Sequence, residues 1–176
     1  MKNIILIVVM LVSAVLFSVW IGSNTTVTPD NQTAGNLLDK MGASYPEPTG
    51  YVVDAGKVLS QNAFKFLTDE LTAFDKYAQV AVVTVNTTSP LSIEEYSIKL
   101  ADKWKVGYKG LDNGVILLVA VKDRKIRIEV GRGIEDKLTD AEAGRIISNI
   151  IAPKLKAGDW DGGITDGAEA IMGEVK

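Results

Sequence analysis

Two runs, residues 80–85 (apolar but for Thr84) and 114–121 (wholly apolar), constrain this chain more than any other feature. Each is too short for a buried helix, rich in β-branched residues, and lacks the alternation of a strand with one wet face. A run of this kind is a strand covered on both faces. Something must therefore lie above and below it. The segment between the runs supplies one cover. Ser92-Ile93-Glu94-Glu95 is a capping box, in which the hydroxyl takes the N3 amide and the carboxylate reaches back to the cap. The helix it opens carries Ile93, Tyr96, Leu100 and Trp104 on one side.

Further covers follow from the same periodicity. Ser60 is an N-cap candidate ahead of Phe64, Leu67, Leu71 and Phe74, and Val52-Val53 reads as a short strand ending at Asp54. Thr139-Asp140-Ala141-Glu142 is a second capping box. Its helix places Ala143, Ile146, Ile147, Ile150 and Ile151 on one face and is expected to stop before Pro153. Asp159 or Asp161 starts a last helix over about 160–174. Residues 122–125 turn the chain, after which Ile126, Ile128 and Val130 alternate with Arg127, Glu129 and Gly131. That turn is too short for a crossover, so the two strands must form an antiparallel hairpin. The expected class is α/β: a three-layer α/β/α sandwich whose mixed sheet contains one antiparallel hairpin.

Residues 4–21 are apolar except for Ser13 and Ser18. As a helix they rise about 27 Å, close to the ~30 Å of a bilayer core. No small-x-small cleavage site follows, so residues 1–21 read as a signal anchor, a cleaved signal peptide being the alternative. Lys2 on the near side and no charge beyond until Asp30 put the N-terminus in the cytoplasm and the domain outside, or secreted if the segment is removed. Residues 22–50, rich in Ser, Thr, Asn, Gly and Pro, read as a flexible linker, and 51–176 as the compact domain.

Composition removes whole classes of chemistry. The 176 residues contain no cysteine and no histidine. Disulfide frameworks, thiolate metal sites, histidine bases and Ser-His-Asp triads are excluded. A net charge of −3 lacks the basic footprint of a nucleic-acid-binding protein. Gly131-Arg132-Gly133-Ile134-Glu135-Asp136 starts like a dinucleotide fingerprint. Its third glycine is missing, however, and its strand belongs to a hairpin, so no nucleotide cofactor is expected. What remains is carboxylate and oxygen chemistry. Asp112-Asn113-Gly114 reads either as a positive-φ turn or as oxygen ligands at a strand end. The two glycines of Gly131-Arg132-Gly133 read as a turn needing positive φ. Glu135, Asp136 and Asp140 crowd before a helix N-terminus. Three carboxylates exceed what the dipole uses, and a calcium or magnesium ion would relieve their repulsion. Arg124, Lys125, Arg127 and Arg132 form a basic hairpin edge, read as solvated protection of an edge strand or as a contact for phosphate or lipid headgroups.

Several segments together resemble the TPM domain family. They are Tyr51-Val52-Val53-Asp54 with Val58-Leu59-Ser60; residues 80–85; 104–107 with 110–118; 124–133; Leu138-Thr139-Asp140-Ala141 with Gly144-Arg145-Ile146-Ile147; and Ile151-Ala152-Pro153. The resemblance implies a sandwich domain on the extracytoplasmic side. Plant thylakoid members are linked to acid phosphatase activity and photosystem repair, an animal member assists a membrane receptor, and members bind calcium through acidic residues at strand ends. Carried over by motif, a metal site would use Asp54, Asp112, Asn113, Glu135 and Asp140, with calcium the implied ion and magnesium second. This sequence has Arg132 where the family often has an aromatic residue and Asp136 where it often has glycine. Arg132 would either bind a phosphoryl oxygen or neutralise the acidic cluster. The expected function is an accessory module for a membrane-protein partner. The alternative is a metal-assisted phosphomonoesterase, with a divalent ion on Asp112 and Asp140, Arg132 on the transferred oxygens and Glu135 as the acid.

Overall fold

The computed structural model describes residues 43–176. The expected anchor and most of the expected linker lie outside the described residues. Among the described residues no helix is long and apolar enough to cross a membrane.

Four strands form one sheet in the order β1 (Val52–Asp54), β2 (Gln79–Val85), β3 (Gly114–Ala120) and β4 (Lys125–Val130). The first three are parallel, and β3 pairs antiparallel with β4, Val115 opposite Val130 and Ala120 opposite Lys125. The hairpin and the mixed sheet are as the sequence implies. The apolar runs are central strands, and every residue of β3 is buried. Period two sorts their side chains. Val80, Val82, Val115, Leu117 and Val119 enter one core, and Ala81, Val83, Val85, Ile116, Leu118 and Ala120 the other.

Helices cover both faces. Over the first core lie α1 (Gln61–Phe74), α3 (Asp140–Ile146) and α5 (Trp160–Val175), through residues such as Leu67, Leu71, Ile146, Ile164 and Ile171. Over the second lies α2 (Ile93–Trp104), through Ile93, Tyr96 and Leu100. The caps read from sequence are present. Ser60 accepts the Ala63 amide at 3.2 Å, Ser92 with Glu95 and Thr139 with Glu142 complete capping boxes, and Asp159 accepts the Gly162 amide at 2.9 Å.

The crossover from β1 to β2 runs through α1 on one face, and that from β2 to β3 through α2 on the other. Both step the same way across the sheet, so they have opposite hands. One is the left-handed form, found in roughly 2% of such units.

The helix from Asp140 does not stop before Pro153. A π turn over Ile147–Ile151 carries it into α4 (Ala152–Lys156). A proline ring collides with the carbonyl four residues back and offers no N–H. The wider turn lets the Ala152 amide reach Ile147 O, five residues back, and the axis continues. Gly167 in α5 admits this turn, since a Cβ there would stand 2.5 Å from Ile151 Cγ1.

The end of the expected linker is packed against α2. Tyr45 lies 4.6 Å from the Tyr96 ring, the Tyr96 hydroxyl donates to Ser44 O at 2.7 Å, and Trp104 Nε1 donates to Pro46 O at 3.0 Å. Burial pushes the Tyr96 phenol up to about 12, with Tyr45 adding to it.

The hairpin turn is tied to the loop before α2. The Thr88 amide donates to Asp123 Oδ2 at 2.8 Å, and the Thr87 hydroxyl to Oδ1 at 2.8 Å. The Thr88 amide lowers the Asp123 carboxyl most. Partial burial opposes it, and the two hydroxyls and Lys125 lower it further. A carboxylate depressed in the folded state stabilises the fold fully above its unfolded value of about 3.9 and loses that contribution as pH falls. Asp123→Asn is therefore expected to flatten the loss of stability from about pH 5 down to about pH 2, read from urea midpoints. An unchanged acid limb would show that this carboxylate is not linked to folding.

Candidate functional site

A groove of about 850 Å³ lies at the amino-terminal end of β3. Its walls are α2, the loop entering β3, and the turn leaving β4. Asp112 and Glu135 line it, together with Asp102, Glu129, Arg132 and Lys105.

The entry loop is built by its own side chains. Tyr108 N–H donates to Asn113 Oδ1 at 2.9 Å, Asn113 Nδ2 donates to Tyr77 O at 3.2 Å, and Gly107 N–H donates to Gln79 Oε1 at 2.8 Å. Asn113 is thus buried and committed to the loop. Tyr108 fixes the loop to the end of α1 by donating its hydroxyl to the Asp75 carboxylate and to Asp75 O at 3.1 Å.

The glycines here serve close approach, and the turn expectations need correction. At Asp112-Asn113-Gly114 the positive φ belongs to Asp112 (φ 47), and Gly131 has φ −71. Gly114 is glycine because a Cβ would meet Val106 O at 2.2 Å. Gly131 and Gly133 are glycine because Asp112 O and Leu111 O would stand 2.1 and 1.7 Å from theirs. Gly131 N–H donates to Gly114 O at 2.8 Å and Gly133 N–H to Asp112 O at 3.1 Å. These two bonds bring Asp112 and Glu135 to one groove.

The other candidates lie elsewhere. Asp54 ends β1, level with Thr84 of β2 and Val119 of β3. Gly114 lies five residues down β3 from that level, about 17 Å away at ~3.3 Å per residue, and Asp112 lies beyond it. Asp54 instead fastens its own turn. It accepts the Val58 amide at 3.2 Å, the Leu59 amide at 3.0 Å and the Thr84 hydroxyl. Asp140 is exposed at the start of α3 and, with Asp136, is not part of the groove lining. The five candidate ligands therefore divide between two ends of the sheet, and one ion cannot take them all. Among the described residues no three acidic side chains are grouped closely enough to hold a metal ion.

Glu129 and Asp102 are groove residues that sequence reasoning did not single out. Glu129 Oε2 accepts Ser97 Oγ at 2.7 Å and Arg127 Nε at 3.1 Å. The alternation of β4, with Ile128 turned into the first core, was the available signal for Glu129. Asp102 had none beyond its place on α2.

The fold and site define a three-layer α/β domain with an open, mixed-charge groove at the amino-terminal end of its parallel strands. The chain belongs to the TPM domain family, whose model matches residues 52–174. The solution structure of the N-terminal domain of a P. gingivalis protein is 29% identical, with a TM-score of 0.66, covering 72% of this chain and 82% of that one. The BA42 protein of the psychrophilic bacterium Bizionia argentinensis is 24% identical (TM-score 0.55), covering 66% of this chain and 81% of that one. The N-terminal domain of the cg2496 protein of Corynebacterium glutamicum is 18% identical (TM-score 0.56), covering 77% and 86%. The last two likenesses concern the fold alone. No curated protein matches the chain.

Proposed function

We propose that the chain is an accessory module, held at a membrane by its N-terminal segment with the domain on the extracytoplasmic side. In this reading the groove takes a segment of a membrane-protein partner. The lining of the groove supports it. Carboxylates at 102, 112, 129 and 135 and cations at 105, 109 and 132 stand around Ile98 and Tyr108, which are 49% and 37% exposed. Apolar contacts ringed by both signs of charge suit a peptide surface, where the ring sets register and the apolar groups supply affinity.

A second reading, phosphomonoester hydrolysis, is favoured by Arg132 beside Asp112 and Glu135. A divalent ion there would supply Lewis acidity. Against it stand an open groove and an exposed Glu135, whereas such chemistry gains from a site closed to water. Calcium enters the accessory reading as a weak ligand of Asp112 and Glu135, on the order of millimolar, as in extracellular modules with few carboxylates.

A photocrosslinking residue at Ile98 or Tyr108 of the full chain in cells is expected to yield a discrete adduct with a membrane protein. Asp112→Asn should leave that adduct in place. The purified chain is expected to hydrolyse no p-nitrophenyl phosphate with calcium or magnesium. Metal-dependent turnover abolished by Asp112→Asn would overturn the accessory reading in favour of the hydrolase. In a calcium titration the amides at 112 and 135 should shift while those at 54 and 140 stay put. A joint shift at 54 and 112 would sink this account of the ligands.

A further inference from the structure

A second concavity lies at the opposite end of the sheet, where β3 leaves for the hairpin turn. It is a cleft of about 470 Å³ walled by Val119, Ile126, Leu155 and Trp160, with Arg124, Lys125 and Lys156 around it and no carboxylate in its lining. Ile126, Leu155 and Trp160 are each only half-buried, so their apolar surface faces the empty space. We propose that this cleft binds a free single-chain anionic amphiphile, a long-chain fatty carboxylate. The tail would lie on Trp160 and Ile126 and the head would meet Arg124 and Lys156.

Two observations carry the proposal. The first is shape and lining. Ligand pockets are typically ~300–1,000 Å³, mostly apolar, with a few polar groups placed to orient the ligand. This volume is that of roughly sixteen waters at ~30 Å³ each, the scale of one alkyl chain and too small for two.

The second is charge. Arg124 and Lys156 are exposed, and among the described residues neither makes an ion pair. The charge of Lys125 is shared with Asp123 and Glu94. Acids of the neighbouring turns are engaged elsewhere: Asp123 by Thr87 and Thr88, Asp159 as the cap of α5, and Asp166 by Lys154. An apolar cleft rimmed only by cations selects an anion with an apolar tail over a neutral or cationic one.

The backbone of Arg124 holds φ 53, in the left-handed region. That region favours glycine or asparagine. Lys57, Lys105 and Asp112 adopt the same region outside this cleft, so the conformation is a feature of the turn. The same fact supplies a clean variant. Arg124→Gly relaxes the turn while removing the guanidinium.

The test uses the full chain in zwitterionic phosphatidylcholine nanodiscs and a fatty acid bearing a terminal diazirine, with photoadducts mapped by peptide mass spectrometry. Adducts are expected in residues 119–126 and 152–160. An unlabelled fatty acid should displace them at least tenfold more effectively than its methyl ester or an alkyltrimethylammonium of equal length. The Arg124→Gly, Lys156→Ser double variant should lose at least tenfold in labelling with its melting temperature unchanged or raised. Adducts spread over the surface, or displaced equally by the three amphiphiles, would overturn the proposal. So would labelling of the cleft by a diazirine phospholipid in the disc in preference to the free acid, or displacement by an acidic leucine-containing peptide alone. None of these readouts involves the groove at the other end of the sheet.

Discussion

Gly133→Ala is expected to lower the unfolding free energy by about 3 kcal/mol, the upper scale for an added group that forces the backbone to shift. The added Cβ would stand 1.7 Å from Leu111 O, and Leu111 O is backbone. Relief requires the 131–135 turn to separate from the 107–113 loop. That movement breaks the bond from Gly133 N–H to Asp112 O and takes Glu135 away from Asp112. The groove should open together with the loss of stability. Gly144 gives the matched comparison. It is exposed in α3 with nothing within 4 Å of an added Cβ. Gly144→Ala is expected to stabilise by about 0.5–1 kcal/mol, because alanine loses less backbone entropy in a helix. Urea denaturation of the two variants should give shifts of opposite sign. Equal signs would refute the close-approach account of Gly133.

Leu117→Ala is expected to cost about 3 kcal/mol, within the ~2–5 kcal/mol range for core truncations. Leu117 is fully buried at the middle of β3, between Val82 on β2 and Ile128 on β4, under the helices of the first core. Neighbours held by two strand ladders can collapse little into the void. Leu111, 60% exposed on the entry loop, provides the contrast. Leu111→Ala is expected to stay within about 0.5 kcal/mol of the parent. A Leu117→Ala loss below 1 kcal/mol would mean that the first core is loosely packed.

Most of the fold was legible because its signals are local. The apolar runs require covers on both faces, and the four-residue turn forces the hairpin. Ser60, Ser92, Thr139 and Asp159 mark helix starts through contacts three residues away. Pro153 misled for a related reason. The steric rule is local, but the π turn that satisfies it is made tolerable by Gly167 on another helix. The candidate site was half legible. Asp112 and Glu135 do share a groove, yet Asp54 belongs to the far end of the sheet and Asn113 to the scaffold of the loop.

The sequence by itself determined the element types, the sheet's burial, the hairpin and the absence of histidine and thiol chemistry, since these depend on residue identity and near-neighbour spacing. Only the tertiary structure decided the opposite hands of the two crossovers, the division of the acidic residues between two ends of the sheet, and the pairing of a mixed-charge groove with a cation-rimmed apolar cleft. Those properties depend on which face each connection crosses and on strand register. Both are fixed by contacts between residues far apart in the chain, where one-dimensional spacing carries no information.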